Sequence, residues 1–113
     1  MLTTLKRNVL VFAEPVDMRK SYDGLTGLLQ GQNVLSGDVF LFMSRDRRRA
    51  KAMFWDGTGL NIWMKRLEQG RFADVWSRVR ITSTELKLFF EGSRLASRCL
   101  SPEDTTHRYE PRV

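Results

Sequence analysis

Asp56-Gly57, set inside AKAMFWDGTGLNIWMKRLE, is the feature that most restricts how this chain can fold. Two runs rich in aromatic, Met and Ile residues flank a dipeptide that readily takes positive φ. An Asp-Gly turn between such runs is the strongest short-range signal of a β-hairpin. The reading assigns positive φ to Gly57 and Gly59 and lets the Asp56 side chain support the turn. Helix is the competing assignment after the turn, because Leu60, Trp63, Met64 and Leu67 also fit a helical stripe. The turn decides for strand, with Leu60, Ile62 and Met64 on one face.

The flanking segments extend the pattern. Residues 38–44 are continuously apolar at their centre, as in a strand covered on both faces. A polar turn at 45–48 joins them to AKAMFWD, so two successive hairpins form an antiparallel meander. NVLVFAEP reads as a short strand stopped by Pro15, and SRVRI as a last one. Leu25, Leu28 and Leu29 share one helix face, which predicts a helix over 20–30, capped by Asp17 or Ser21 and weakened by Gly24 and Gly27. Thr82 and Glu85 stand in capping-box spacing ahead of Leu86, Phe89 and Phe90, which predicts a second helix. The expected fold is α+β: a small single domain over residues 1–100, a mostly antiparallel sheet of four to five strands, and two helices on one face. Residues 101–113 have two prolines, mixed charge and no periodicity, and are expected to be a disordered tail.

Charge narrows the partners. The net charge is +6, and residues 38–82 carry ten basic against five acidic side chains, whereas the segments on either side are nearly balanced. Arg45, Arg47, Arg48, Arg49 and Lys51 crowd a predicted hairpin tip with Asp46 as the local anion. Like charges this close repel, and a polyanion relieves them; the planar guanidinium fork suits phosphate oxygens. The plainer alternative is a solvated loop. Trp55, Trp63, Phe54, Phe72 and Trp76 interleave with Lys65, Arg66 and Arg71, as on surfaces that stack bases, but apolar stripes in strands usually fill a core. Arg19 and Lys20 lie at a helix start, where cations oppose the helix dipole; either an anionic ligand or pairing with Asp17 or Asp23 accounts for them.

Several classes fall away. The longest apolar runs, 9–13 and 39–43, are five residues each, too short for a membrane span or a secretory core, so a cytoplasmic protein is expected. Cys99 and His107 are each alone, which leaves no disulfide and no metal site of those ligands. Asp38, Asp56 and Glu91 resemble a carboxylate triad in spacing, yet Asp56 belongs to the turn and the sheet is too small for that chemistry. No catalytic residue and no cofactor are expected.

Four blocks then carry a resemblance. DMRKSYDGL (17–25), SGDVFLFMSRDRRRAK (36–51), FWDGTGLNIWMKRLEQGRF (54–72) and TELKLFFEG (84–92) resemble, in order and spacing, the small accessory protein of insertion-sequence-66 type bacterial transposons, the second open reading frame product labelled TnpB. The likeness covers about residues 8–92. It implies a role in transposition beside a separate, larger transposase that does the cutting and joining. Where the family continues after Phe72 with a Pro-Trp-Pro-like block, this chain has ADVWSRVR. Two functions are compatible with the resemblance. One is a non-catalytic factor gripping DNA through Arg45, Arg47, Arg48, Arg49 and Lys51, helped by Arg19, Lys20, Lys65, Arg66 and Arg71. The other is an interaction module that docks on the transposase or other proteins of the element without touching DNA.

Overall fold

The computed structural model describes residues 7–92, so the expected tail lies outside the described residues. Within them the chain forms β1 (Val9–Val11), α1 (Tyr22–Leu28), β2 (Val39–Met43), β3 (Arg49–Trp55), β4 (Leu60–Arg66), β5 (Arg80–Ile81) and α2 (Ser83–Phe90). One sheet takes all five strands in the order β4-β3-β2-β1-β5. Three of its four pairings are antiparallel; β1 and β2 run parallel, with Val9 opposite Val39 and α1 in the connection between them. The α+β fold, the meander and the strand assignment for 60–66 agree with the sequence reading.

β2 explains the layering. Its five residues are all buried, and alternate side chains point to opposite faces of a strand, so both faces need cover. Val39, Leu41 and Met43 join Ala50, Ala52 and Phe54 of β3, Phe72 and Val75 of the segment between β4 and β5, and Leu86 and Phe89 of α2. Phe40 and Phe42 join Met53, Val16, Met18, and Leu25 and Leu29 of or beside α1. The helices therefore lie on opposite faces and not on one face as the sequence suggested. A sheet hydrophobic on both sides cannot leave either open to water, and each helix covers one. Among the described residues, no helix is long and apolar enough to cross a membrane.

Local chemistry sets the element ends. In α2 the Glu85 backbone N–H donates to Thr82 Oγ1 at 3.1 Å and the Thr82 N–H donates to Glu85 Oε1 at 2.8 Å, completing the expected capping box. Glu85 is fully buried, and Arg78 reaches its carboxylate at 3.3 Å. α1 is shorter than predicted, seven residues, and Ser21 at its N-cap makes no side-chain cap bond. Asp17 instead accepts the Arg19 backbone N–H at 2.9 Å and the Arg19 guanidinium at 2.8 Å. This guanidinium, and then the Arg19 N–H, hold the Asp17 carboxyl well below the usual carboxylate range.

The β3–β4 turn is built on Asp56. Its Oδ1 accepts the backbone N–H groups of Thr58 at 2.9 Å and Gly59 at 3.0 Å, and its Oδ2 accepts the Asn61 amide at 3.0 Å. Gly57 has φ 105°, whereas Gly59, for which positive φ was also expected, is not left-handed. One reversal of chain direction needs one such residue here, because the Asp56 carboxylate organises the rest. The Thr58 N–H, the Asn61 amide, the Gly59 N–H and the Thr58 hydroxyl, in falling order, depress the Asp56 pKa far below its ordinary value. A folded value below the unfolded one means that this support is complete above about pH 4 and is lost as pH falls through the folded value. The Thr58 and Gly59 amides should thus keep their NMR shifts from neutrality to about pH 4 and move only below it. In Asp56→Ala the turn should already be loosened at neutral pH, without that acid step; the same acid step in the variant would contradict the assignment.

Candidate nucleic-acid interface

The β2–β3 turn is held by its own polar side chains. Ser44 Oγ donates to Asp46 Oδ1 at 2.7 Å, Asp46 Oδ1 accepts the Arg48 N–H at 3.0 Å, and Ser44 Oγ accepts the Arg49 N–H at 3.1 Å. The Ser44 hydroxyl first, then the Arg48 N–H, lower the Asp46 pKa, with smaller help from the charges of Arg49 and Arg48. Asp46 is thus committed to shaping the turn. None of the ion pairs seen among the described residues involves Arg45, Arg48, Arg49 or Arg71.

Arg47 is different from its neighbours. It has φ 59°, in the left-handed region, which costs a non-glycine residue about 1–2 kcal/mol. Its carbonyl accepts the Phe72 N–H at 2.7 Å, and its Nη1 donates to the Phe72 carbonyl at 3.1 Å. With the Leu67 N–H donating to the Arg48 carbonyl at 2.8 Å, these bonds tie the segment after β4 against the hairpin tip. Arg47 is half-buried and acts as a strut.

Register assembles the other arginines. Arg49 of β3 stands directly opposite Arg66 of β4. Because Arg48 and Leu67 form a hydrogen-bonded pair, Arg49 and Arg66 fall in the adjoining non-hydrogen-bonded pair, where side chains are closest. Like charges directly opposite are destabilising. Arg66 finds partial relief in Glu68 at 3.0 Å, both side chains being mostly exposed. The Phe72 bonds to Arg47 bring the adjacent Arg71 to the same end of the sheet. Arg45, Arg48, Arg49, Arg66 and Arg71 are all exposed and gather at this end.

Four residues of the predicted set are placed otherwise. Lys51 is buried, 7% exposed, and its Nζ donates to the Lys20 carbonyl at 2.6 Å. Its position inside β3, between β2 and β4, draws the ammonium under the α1 side, so it is not part of the exposed cluster. Arg19 is exposed but paired with Asp17, the second of the two explanations its position allowed. Lys20 is exposed beside this pair. Lys65 faces the α2 side and donates to the Phe90 carbonyl at 2.7 Å. Of the aromatics, Phe54 and Phe72 are buried and Trp55 and Trp76 half-buried, as core residues should be; Trp63 is 40% exposed, its ring edge-on to Phe90. Among the described residues, no three of His, Cys, Asp and Glu come together to hold a metal, and Asp56 is occupied by its turn.

The Arg49–Arg66 opposition escaped the sequence reading, although counting outward from Asp56-Gly57 would have found it. If Trp55 faces Leu60, each further step outward pairs the next residues, ending at Arg49 and Arg66. The strut at Arg47 left no such signal.

The family described as IS66 Orf2 like protein matches residues 7–99. The uncharacterized protein y4jC of Sinorhizobium fredii is 35% identical over 68 residues. The match takes in 57% of this chain and spans 57% of that relative, a little over half its length. No solved structure matches the chain.

Proposed function

Because the chain belongs to the IS66 Orf2-like family, and so to the accessory side of that insertion sequence's transposition, we propose that it is a non-catalytic factor that binds the DNA of the element in the bacterial cytoplasm. Arg45, Arg48 and Arg49 grip phosphates, with Arg66 and Arg71 alongside and Lys20, Lys65 and Arg19 as outer contacts. Arg47 and Lys51 hold the shape of the grip. Cutting and joining fall to a separate transposase, a partner of the same element.

The observation that carries this reading is the Arg49–Arg66 opposition amid exposed arginines, of which Arg45, Arg48, Arg49 and Arg71 have no carboxylate partner among the described residues. Folding has brought these charges together at an electrostatic cost, which an external row of phosphates would remove. Arg19 and Arg66 do not oppose it, since exposed ion pairs are weak and readily exchanged for a phosphate oxygen.

A gel-shift titration of short duplex and single-stranded DNA at several salt concentrations tests the proposal. Four or five phosphate contacts give a log–log slope of about −4 on duplex. No binding to either form at low salt would remove DNA from the reading and leave docking on the transposase.

A further inference from the structure

β4 is an open edge of the sheet, and it differs from the other edge. β5 is two residues long, whereas β4 has seven, with no proline and no partner on its outer side among the described residues. Asn61, Trp63 and Lys65 fall in the hydrogen-bonded pairs with β3, as the Asp56–Gly59 and Arg48–Leu67 bonds at either end require. The N–H and C=O groups of Ile62 and Met64 consequently point outward. Proteins usually shorten, cover or interrupt such an edge.

Beside this edge lies a groove. The space between β4 and α2 has a volume of about 610 Å³, with Trp63, Leu86 and Phe90 as apolar walls. Trp63 is 40% exposed, its ring edge-on to Phe90. Lys65 and Lys87 also line it, with Glu91 as the carboxylate among the lining residues.

We propose that β4 and this groove receive an extended, acidic segment of a partner protein, added to the sheet as a further strand. The outward N–H and C=O groups of Ile62 and Met64 supply main-chain hydrogen bonds, and the alternate side chains that the added strand turns toward the groove divide between its apolar walls and Lys65 and Lys87, which meet the carboxylates. Charge complementarity selects this occupant over a second copy. Two chains of net charge +6, each carrying Lys65 and Arg66 on the approaching strand, repel one another, and cations on an edge are a known guard against self-pairing. The Lys65 bond to the Phe90 carbonyl leaves the ammonium two further donors for a carboxylate. The inference goes beyond DNA binding and stands whether or not that proposal holds.

The test uses the full chain and a synthetic dodecapeptide of three Val-Ile-Glu-Glu repeats, which puts both apolar and acidic side chains on the face toward the groove, with a lysine-for-glutamate peptide as control. NMR titration to about 1 mM peptide should show binding of the acidic peptide, with hydrogen-exchange protection of the Ile62 and Met64 amides. The lysine peptide should bind at least about tenfold more weakly. Met64→Pro removes an outward N–H where an edge strand tolerates proline, so it should abolish binding while the circular dichroism spectrum is kept. Should that variant not fold, Lys87→Glu is the second probe, and it should lower affinity for the acidic peptide and raise it for the lysine peptide. No binding by about 1 mM, equal binding of the two peptides, or retained binding in a folded Met64→Pro would overturn the proposal. So would protection of those two amides in the free protein, whether it grows with concentration, as for a second copy, or does not, as for the chain's own residues. Displacement of the peptide's amide protection by duplex DNA would assign the edge to nucleic acid instead.

Discussion

Replacing Arg45, Arg48 and Arg49 together with alanine is expected to weaken duplex binding by about 10²- to 10³-fold at roughly 0.1 M salt. Each phosphate contact contributes about 0.9 to the log–log salt slope, which at that salt is nearly a factor of ten per contact. The slope should accordingly fall from about −4 to between about −1 and −2. All three side chains are exposed and make no side-chain bond or ion pair recorded among the described residues, so thermal stability should hardly change. Relief of the Arg49–Arg66 opposition should appear as a small gain in melting temperature. Fluorescence anisotropy with a labelled duplex, alongside thermal melts, measures both quantities. Unchanged affinity in a folded variant would refute the assignment of the grip. Arg47 is left in place deliberately. Its guanidinium helps fasten the Phe72 segment, so Arg47→Ala should cost about 1 kcal/mol of stability and blur any effect on binding.

Phe89→Ala should be among the most damaging single changes to the fold. Phe89 is fully buried on the α2 side, with its ring stacked on Phe72 at 4.7 Å and 12° and edge-on to Phe90 at 5.5 Å. Truncating such a phenylalanine costs about 3–5 kcal/mol through lost transfer energy and the cavity left behind. A domain of this size has only about 5–15 kcal/mol of total stability. At about 4–8 °C per kcal/mol, the melting temperature should fall by roughly 12–40 °C. The damage should spread to the hairpin tip, because Phe72 is the residue Arg47 holds. Val79→Ala, at a position 77% exposed, serves as the control and should stay within about 0.5 kcal/mol. A fall of under about 5 °C for Phe89→Ala would show that α2 is not packed on the sheet as described.

Some of the site was legible because its causes are local. Asp56 bonds residues two to five positions ahead, and Thr82 and Glu85 satisfy each other across three, so the hairpin and the second helix could be read from short segments. The arginine cluster at the tip was legible in the same way, from the polar turn at 45–48 that joins β2 to β3. Other parts were hidden. Lys51 and Arg49 are both cations two residues apart on one strand face, yet one is exposed and the other buried, because only Lys51 lies beneath the segment carrying the Lys20 carbonyl. Trp63 reads as a core residue by type, but it sits on an edge strand with no partner on its outer side among the described residues.

The sequence by itself determined which segments are strands or helices, where two of them turn or begin, and that one apolar strand needs cover on both faces. Those outcomes rest on hydrogen bonds and side-chain periodicity within a few residues. Tertiary structure alone decided the parallel pairing of Val9 with Val39, the helix taken by each face, the left-handed Arg47 and the meeting of Arg66 and Arg71 with the β2–β3 turn. Those depend on contacts between distant segments, for which many apolar partners are nearly equivalent and only the packing of the whole sheet selects one.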